Sequence, residues 1–490
     1  MTKSSPFDVK ETGTVLDIRK IIVRLSGLPT CANGQPLTFP GGGRGMIMGF
    51  DKKVAMALLF EESKGLKAGD MVLARNETLT VPVGKGLIGR VVNGVGVACD
   101  GKEALQPDAW LPVFAEAPGI TDRSLLTRPL YTGTKILDSV IPIAKGQREL
   151  IVGDRVTGKT TLAVDAILNQ KGKNVVCIYC CIGRSYNFLL KLTRLFREKN
   201  AFDYSVVVGS TADSPVGEQY LAPYTAASIG EYFMRQGRDV LVVFDDLTKH
   251  AWIYRQISLL TERPPGREAY PGDIFYIHSQ LIERAAQLKP ELGGGSMTFL
   301  PIVETQQGDL TGYISTNLIS MTDGQVYLSP ELFQDGFKPA IDLGLSVSRI
   351  GNKIQCPAMR SLCGTLRLQY VQYKELLNVT KMRSMVSKQA QEKLKKGLAT
   401  VEILKQNKNE PVDVVDQIFQ FYALKNGVLD DLPPQLVQDF KNRFYEWMTL
   451  HHRGFVERMR QQLEITETSK EELNKAITEY LNAKEVAQPA

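Results

Sequence analysis

The sequence has no run approaching about 20 uninterrupted apolar residues, so no segment reads as a bilayer-spanning helix. Charge of one sign is also scarce. The 59 Lys+Arg against 53 Asp+Glu leave +6 over 490 residues, a balance that does not mark a nucleic-acid binder. There are only four histidines, His250, His278, His451 and His452, and they show no metal-ligand spacing. Seven cysteines is an odd count without framework spacing, which fits a reducing compartment. Three of them, Cys177, Cys180 and Cys181, lie in the apolar run VVCIYCCIG and are expected to be buried strand thiols. Low-complexity linkers and short repeats are missing. The opening MTKSSPFDVKET lacks an apolar core and carries acids early, so it is expected to be neither a secretory signal nor a transit peptide.

What is present is ordinary globular material. Hydrophobic residues make up 43% and charged residues 23%, which excludes disorder and fibrous architectures. At roughly 100–200 residues per domain, the length allows two to four domains. Residues 1–77 show short runs such as TVLDIRKIIVRLSGL, GRGMIMGF and AGDMVLARN, broken by Gly, Pro and Asn. That spacing predicts a small β-barrel. From 78 to 355, wholly apolar runs alternate with helical segments: ELIVG (149–153), NVVCIYCCIG (174–183) and DVLVVFDD (239–246). Strands apolar throughout imply a parallel sheet covered on both faces. From 356 to 490 the glycines thin out, and KLKKGLATVEILK, DVVDQIFQFYAL and PPQLVQDFKNRFYEWM carry apolar residues at helical spacing. Ser469 and Glu472 are expected to form a capping box, with Leu473, Ile477 and Leu481 along one face of the helix that follows. The fold class is therefore multi-domain α+β: an N-terminal barrel, a central phosphate-loop α/β domain and a C-terminal helical bundle.

The segment ELIVGDRVTGKTTLAVDAI (149–167) holds Gly153, four residues, then Gly158-Lys159-Thr160, between an apolar strand and an amphipathic helix. This is a complete Walker A pattern in the context it requires. The glycines let backbone N–H groups converge on phosphate oxygens, and the new helix adds its positive end. Lys159 is expected to reach the β/γ-phosphates and the Thr160 hydroxyl to ligate Mg²⁺. Asp245 follows an apolar run and is expected at the carboxyl end of the sheet, beside the loop, holding Mg²⁺ through water. Asp246 is the neighbouring candidate.

Further motifs, RPPGREAYPGD (263–273), LTGYISTNLISMTDGQVYL (310–328) and PAIDLGLSVSRIG (339–351), with GRVVNGVG (89–96) and PIAKGQRELIVGDR (142–155), closely resemble those of the F-type ATP synthase α subunit. The match runs from ETGTVLDI (11–18) to near the C-terminus. The resemblance implies a RecA-like nucleotide-binding core that takes ATP or ADP with Mg²⁺. It also implies a ring in which three α and three β subunits alternate, a central-stalk γ subunit, peripheral-stalk δ and b subunits, and a peripheral position on the cytoplasmic face of a bacterial inner membrane. A matrix or other organellar face is the alternative.

The same resemblance assigns the nucleotide contacts to Gly153, Asp154, Arg155, Val156, Thr157, Gly158, Lys159, Thr160 and Thr161, and, on the adenine side, to Lys338, Pro339, Gln406 and Lys408. It makes Arg349 a finger reaching the γ-phosphate of the neighbouring β subunit, and it places Ser320 on the same interface. From spacing alone, Arg349 reads instead as an ion-pair anchor. Catalytic relatives carry a glutamate after the glycine that closes the second core strand, and the α family usually has glutamine; here it is Arg184. An arginine stays charged and accepts no proton from water, so the protein is expected to bind nucleotide without turning it over at its own site, while serving a proton- or sodium-driven synthase.

Other departures from the family pattern are Val156 for a loop glutamine, Lys338 for an arginine, Lys408 for a second glutamine, a diverged QYVQYKELLNVTKMRS (369–384), and an N-terminal arm of only about ten residues. Two alternatives stay open. One is a paralogue in another rotary complex. The other is a homohexameric secretion-type or helicase-type motor, which would need a glutamate at position 184.

Overall fold

The computed structural model describes residues 10–61, 65–380 and 388–485. The short N-terminal arm and the part of the diverged 369–384 segment from residue 381 onward lie outside them.

Six strands, Lys10–Arg19, Ile22–Ser26, Pro36–Thr38, Arg44–Phe50, Ala55–Leu59 and Met71–Arg75, form a closed antiparallel barrel. The ring closes where Lys10 to Thr14 pair with Arg75 to Met71. Side-chain alternation fills it. In Met71–Arg75, Val72 and Ala74 point inward and are buried, while Met71, Leu73 and Arg75 face out. Val15, Val23, Leu25, Leu37 and Ile47 complete an apolar interior.

The central sheet runs, in spatial order, Val347–Ser348, Gly324–Leu328, Leu150–Gly153, Ser296–Glu304, Asp239–Asp245, Val175–Arg184, Ser205–Thr211 and Val91–Val92. Neighbours along this path pair in parallel except the edge strand Val347–Ser348, and a short ninth strand, Ala286–Gln287, also pairs antiparallel with Ser296–Glu304. Helices Lys159–Leu168, Tyr186–Glu198, Val216–Arg235 and Leu247–Leu260 cover it. The two faces seat separate cores, which is why the central positions of these strands are mostly apolar on both sides. The cysteines follow the same alternation. Cys177 and Cys181 point into one core and Cys180 into the other, all three fully buried, so their thiols do not converge.

Among the described residues seven helices follow, from Pro357–Cys363 to Glu467–Glu485. Their apolar faces, including Phe419, Phe440, Phe444 and Tyr480, join the same core as Ile151, Val326 and Leu328 of the sheet. The helical region is thus fused to the sheet face beside the phosphate loop.

The last helix corrects one expectation. It begins at Glu467, so Ser469 lies inside its first turn. Thr466 takes the capping role, its hydroxyl accepting from Ser469 N at 3.2 Å. Glu472 pairs instead with Arg458 at 2.7 Å. Leu473 and Ile477 are buried as the periodicity requires, together with Tyr480; Leu481 packs partly buried at the edge.

Candidate functional site

The strand Leu150–Gly153 leads into a tight loop, and the helix Lys159–Leu168 leads away from it. Two glycines make the turn possible. A Cβ on Gly153 would lie 2.6 Å from the Leu328 carbonyl oxygen, and Gly158 has φ +102°, a left-handed conformation that costs other residues energy. Thr157 Oγ1 donates to the Asp154 carbonyl at 2.8 Å, cross-bracing the loop. Lys159 curls back and donates to the carbonyls of Gly153 and Asp154. The residue is 7% exposed, and burial lowers its pKa. The helix N-terminus behind it contributes free N–H groups and the positive end of the helix dipole.

Asp245 ends the strand Asp239–Asp245 and accepts from Thr160 Oγ1 at 2.8 Å. The hydroxyl of Tyr179 also donates to Asp245 Oδ2, from a strand whose apolar run gave no hint of this role. Asp246 faces a different task. Its Oδ1 caps the helix Leu247–Leu260 by accepting from Lys249 N at 2.8 Å. Burial, and then the neighbouring Asp245 charge, push its pKa up to about 6. Thr160 and Asp245 together present hydroxyl and carboxylate oxygens, the hard donors that suit Mg²⁺ with water completing its shell.

Arg184 ends the strand Val175–Arg184 and reaches into the same group. Its Nη2 donates to Thr160 Oγ1 at 3.2 Å and stands 3.6 Å from Asp245 Oδ2. No carboxylate occupies this position; a permanent cation does.

A cavity of about 1840 Å³ opens over this arrangement. Arg155, Val156, Thr157, Gly158, Lys159, Thr160, Thr161 and Asp245 line one end, and Lys338, Pro339, Gln406 and Lys408 line the other. Residues far apart in sequence therefore meet around one cavity. Two loop residues do not. Gly153 lies beneath the cavity, and the Asp154 carboxylate turns away from it. Its Oδ1 accepts from Thr305 Oγ1 at 2.6 Å and Gly308 N at 2.9 Å, tying the loop to the strand end beyond Glu304. Asp154 thus braces the loop from outside.

Gln406 lines the cavity, but backbone groups claim its amide. Its Nε2 donates to Gly133 O at 2.8 Å and Glu410 O at 2.9 Å, and Oε1 accepts from Lys135 N at 3.1 Å. It positions the cavity wall, and its Oε1 keeps one lone pair for a ligand. Deeper in, Lys135 Nζ donates to Gln420 Oε1 at 3.2 Å, and Gln420 donates to Asp416 Oδ1 at 2.8 Å. Burial brings the Lys135 pKa down to about 7 and the Asp416 pKa up to about 7. Sequence reasoning missed both residues, because neither carries a motif.

Neither Arg349 nor Ser320 lines the cavity; Arg349 directly follows the edge strand Val347–Ser348, and Ser320 lies on the helix Tyr313–Met321. Both are exposed. Ser320 Oγ donates to Asn317 O at 2.6 Å, and Arg349 N donates to Asp323 O at 2.8 Å. The Arg349 guanidinium makes no hydrogen bond and no ion pair within 4 Å among the described residues, and its charge acts on the buried Glu149 carboxyl. Arg148 holds the segment from below, through a two-pronged pair with Asp323 at 2.7 and 3.0 Å.

Three family models match the protein. The ATP synthase alpha/beta family beta-barrel domain covers residues 8–76, and the nucleotide-binding domain of the same family covers 133–348. The C-terminal domain of the ATP synthase alpha/beta family covers 355–480. Among curated relatives, an ATP synthase subunit alpha from Clostridium botulinum (strain Eklund 17B / Type B) is 46% identical over 96% of this sequence and 93% of its own length. One from Clostridium acetobutylicum is 45% identical over 97% of this sequence and 94% of its own.

Proposed function

The protein belongs to the ATP synthase alpha/beta family, and we propose that within it this protein is a nucleotide-binding subunit that does not hydrolyse at its own loop and completes the catalytic site of a neighbouring β subunit. One observation carries the reading: where a water-activating carboxylate would stand, the Arg184 guanidinium faces Thr160 and Asp245. A guanidinium neither accepts a proton nor orients water as a base.

In this reading ATP or ADP seats its phosphates on the loop from Arg155 to Thr161. Lys159 leaves the loop carbonyls for phosphate oxygens. Thr160 and Asp245 would hold Mg²⁺, which spreads the phosphate charge. Pro339 and the backbone wall set by Gln406 receive the base, with Lys338 and Lys408 at its mouth.

Arg349 acts in the neighbouring site. Its exposed guanidinium, which makes no hydrogen bond or close ion pair among the described residues, supports a finger acting across an interface. The partners are β subunits alternating with this one in a six-membered ring, a central-stalk γ subunit and the peripheral-stalk δ and b subunits. Among the described residues no helix is long and apolar enough to cross a membrane. The complex supplies the attachment, on the cytoplasmic face of an inner membrane, and serves proton- or sodium-coupled ATP synthesis.

The test is nucleotide binding and turnover by the purified subunit. Binding with little hydrolysis is expected; robust turnover by the isolated subunit sinks the assignment.

A further inference from the structure

Arg184 is held more tightly than an incidental surface cation would be. The strand that carries it slips register between Ile182 and Arg184, a bulge that re-aims the side chain at its end. Gly183, at φ +59°, absorbs the bend, and a Cβ there would press on Gln219 and Lys249 at 3.2–3.3 Å. The guanidinium then lies over the Phe188 ring at 4.5 Å. From there it donates to Thr160 Oγ1 at 3.2 Å and stands 3.6 Å from Asp245 Oδ2 and 3.9 Å from Asp246 Oδ2. That last oxygen is buried and accepts no hydrogen bond among the described residues. Arg184 itself lines the cavity.

A fixed positive charge therefore already stands beside the oxygens that would hold or surround a divalent ion, with Lys249 Nζ also 3.7 Å from Asp246 Oδ2. Guanidinium is planar, permanently protonated and rich in donors, and it matches phosphate oxygens well. A divalent ion entering beside it would meet like-charge repulsion.

We propose that Arg184 is a built-in cation at the metal position, so that this site retains a nucleoside di- or triphosphate without a divalent metal. The proposal rests on the nucleotide-binding reading above and amends it at one point: the Arg184 guanidinium takes the charge-balancing part given there to Mg²⁺ on Thr160 and Asp245. In a site built on hydroxyl and carboxylate alone, removing Mg²⁺ leaves phosphate facing carboxylate. Here the guanidinium stays between them.

The experiment titrates the full-length protein with ATP and with ADP by calorimetry, once in excess Mg²⁺ and once in EDTA, for the wild type and for Arg184→Gln. The wild-type Kd is expected to change by less than about threefold on removing Mg²⁺, and the variant Kd by at least about tenfold, the loss of one charge-assisted contact. Arg184→Lys, checked by circular dichroism to be folded, is expected to keep the charge without the fork and to show a metal dependence between the two. In a parallel measurement with ADP present, Arg184→Gln is expected to take up Mn²⁺ more tightly by electron paramagnetic resonance. Tenfold or greater loss of wild-type affinity in EDTA, or the same metal dependence in Arg184→Gln as in the wild type, overturns the proposal while leaving nucleotide binding intact. No binding in either buffer overturns the nucleotide reading itself.

Discussion

The Thr160 hydroxyl donates to Asp245 Oδ2 at 2.8 Å, joining the first turn of a helix to the end of a strand two places away in the sheet. Asp245 keeps a second donor in Tyr179. Thr160→Ala is therefore expected to fold normally and to bind nucleotide roughly tenfold more weakly, the cost of one hydrogen bond to a charged group. Calorimetric titration with ATP checks this. Lys159→Ala, which removes the cation bonded to the loop carbonyls, is expected to lose about 100-fold.

Arg349→Ala is expected to leave nucleotide occupancy of this subunit unchanged, because the side chain lies outside the cavity. In the assembled complex it is expected to slow multi-site turnover by roughly 10³–10⁵, the range for loss of a finger. Steady-state hydrolysis together with a bound-nucleotide assay separates the two effects. Near-normal turnover by an assembled mutant would remove the finger role.

Arg284 is fully buried, with Nε 2.6 Å from Glu231 and further bonds to Val113 O at 2.8 Å and Ser228 Oγ at 2.9 Å. Arg284→Met leaves Glu231 buried and unpaired. It is expected to lower stability by about 3–5 kcal/mol in urea unfolding, and replacing Glu231 with Leu as well is expected to restore part of the loss.

Val156 has φ +65° and is 84% exposed, a left-handed position occupied by a β-branched residue. Its side chain gains little packing to offset the strain. Val156→Asn is expected to raise stability by about 1 kcal/mol, since asparagine tolerates this conformation.

His278 is fully buried, and neither ring nitrogen has a partner among the described residues; the His250 ring lies 5.7 Å away. Burial, and then His250, bring the His278 pKa down to about 3. The folded state refuses a proton that the unfolded polypeptide takes near its ordinary value. This contribution to stability is whole at neutral pH and is lost as pH falls through about 6.5 towards 3, at up to about 1.4 kcal/mol per pH unit. His278→Phe is expected to flatten that slope in unfolding midpoints measured from pH 7 to 4.

Much of the site could be read in advance because its signals are local. The phosphate loop from Gly153 to Thr160 and the strand-end Asp245 each follow from a few adjacent residues, and Arg184 from its place after CCIG. What escaped depends on distant partners. Tyr179 sits in a continuous apolar run, and only the neighbouring strand gives its hydroxyl something to bond. Asp154 belongs to the loop in sequence yet braces Thr305 and Gly308, more than 150 positions away. Ser469 and Thr466 are both plausible helix caps on local chemistry. The choice falls to Thr466, with Glu472 drawn into a pair with Arg458 on the preceding helix.

The strands of the N-terminal ring pair all the way round, from Lys10 against Arg75 back to the start. Such a ring offers no row of open backbone N–H and C=O groups to a passing polypeptide. Among the described residues a neighbour cannot join the ring by adding a strand, so recognition along its strands must be written in side chains.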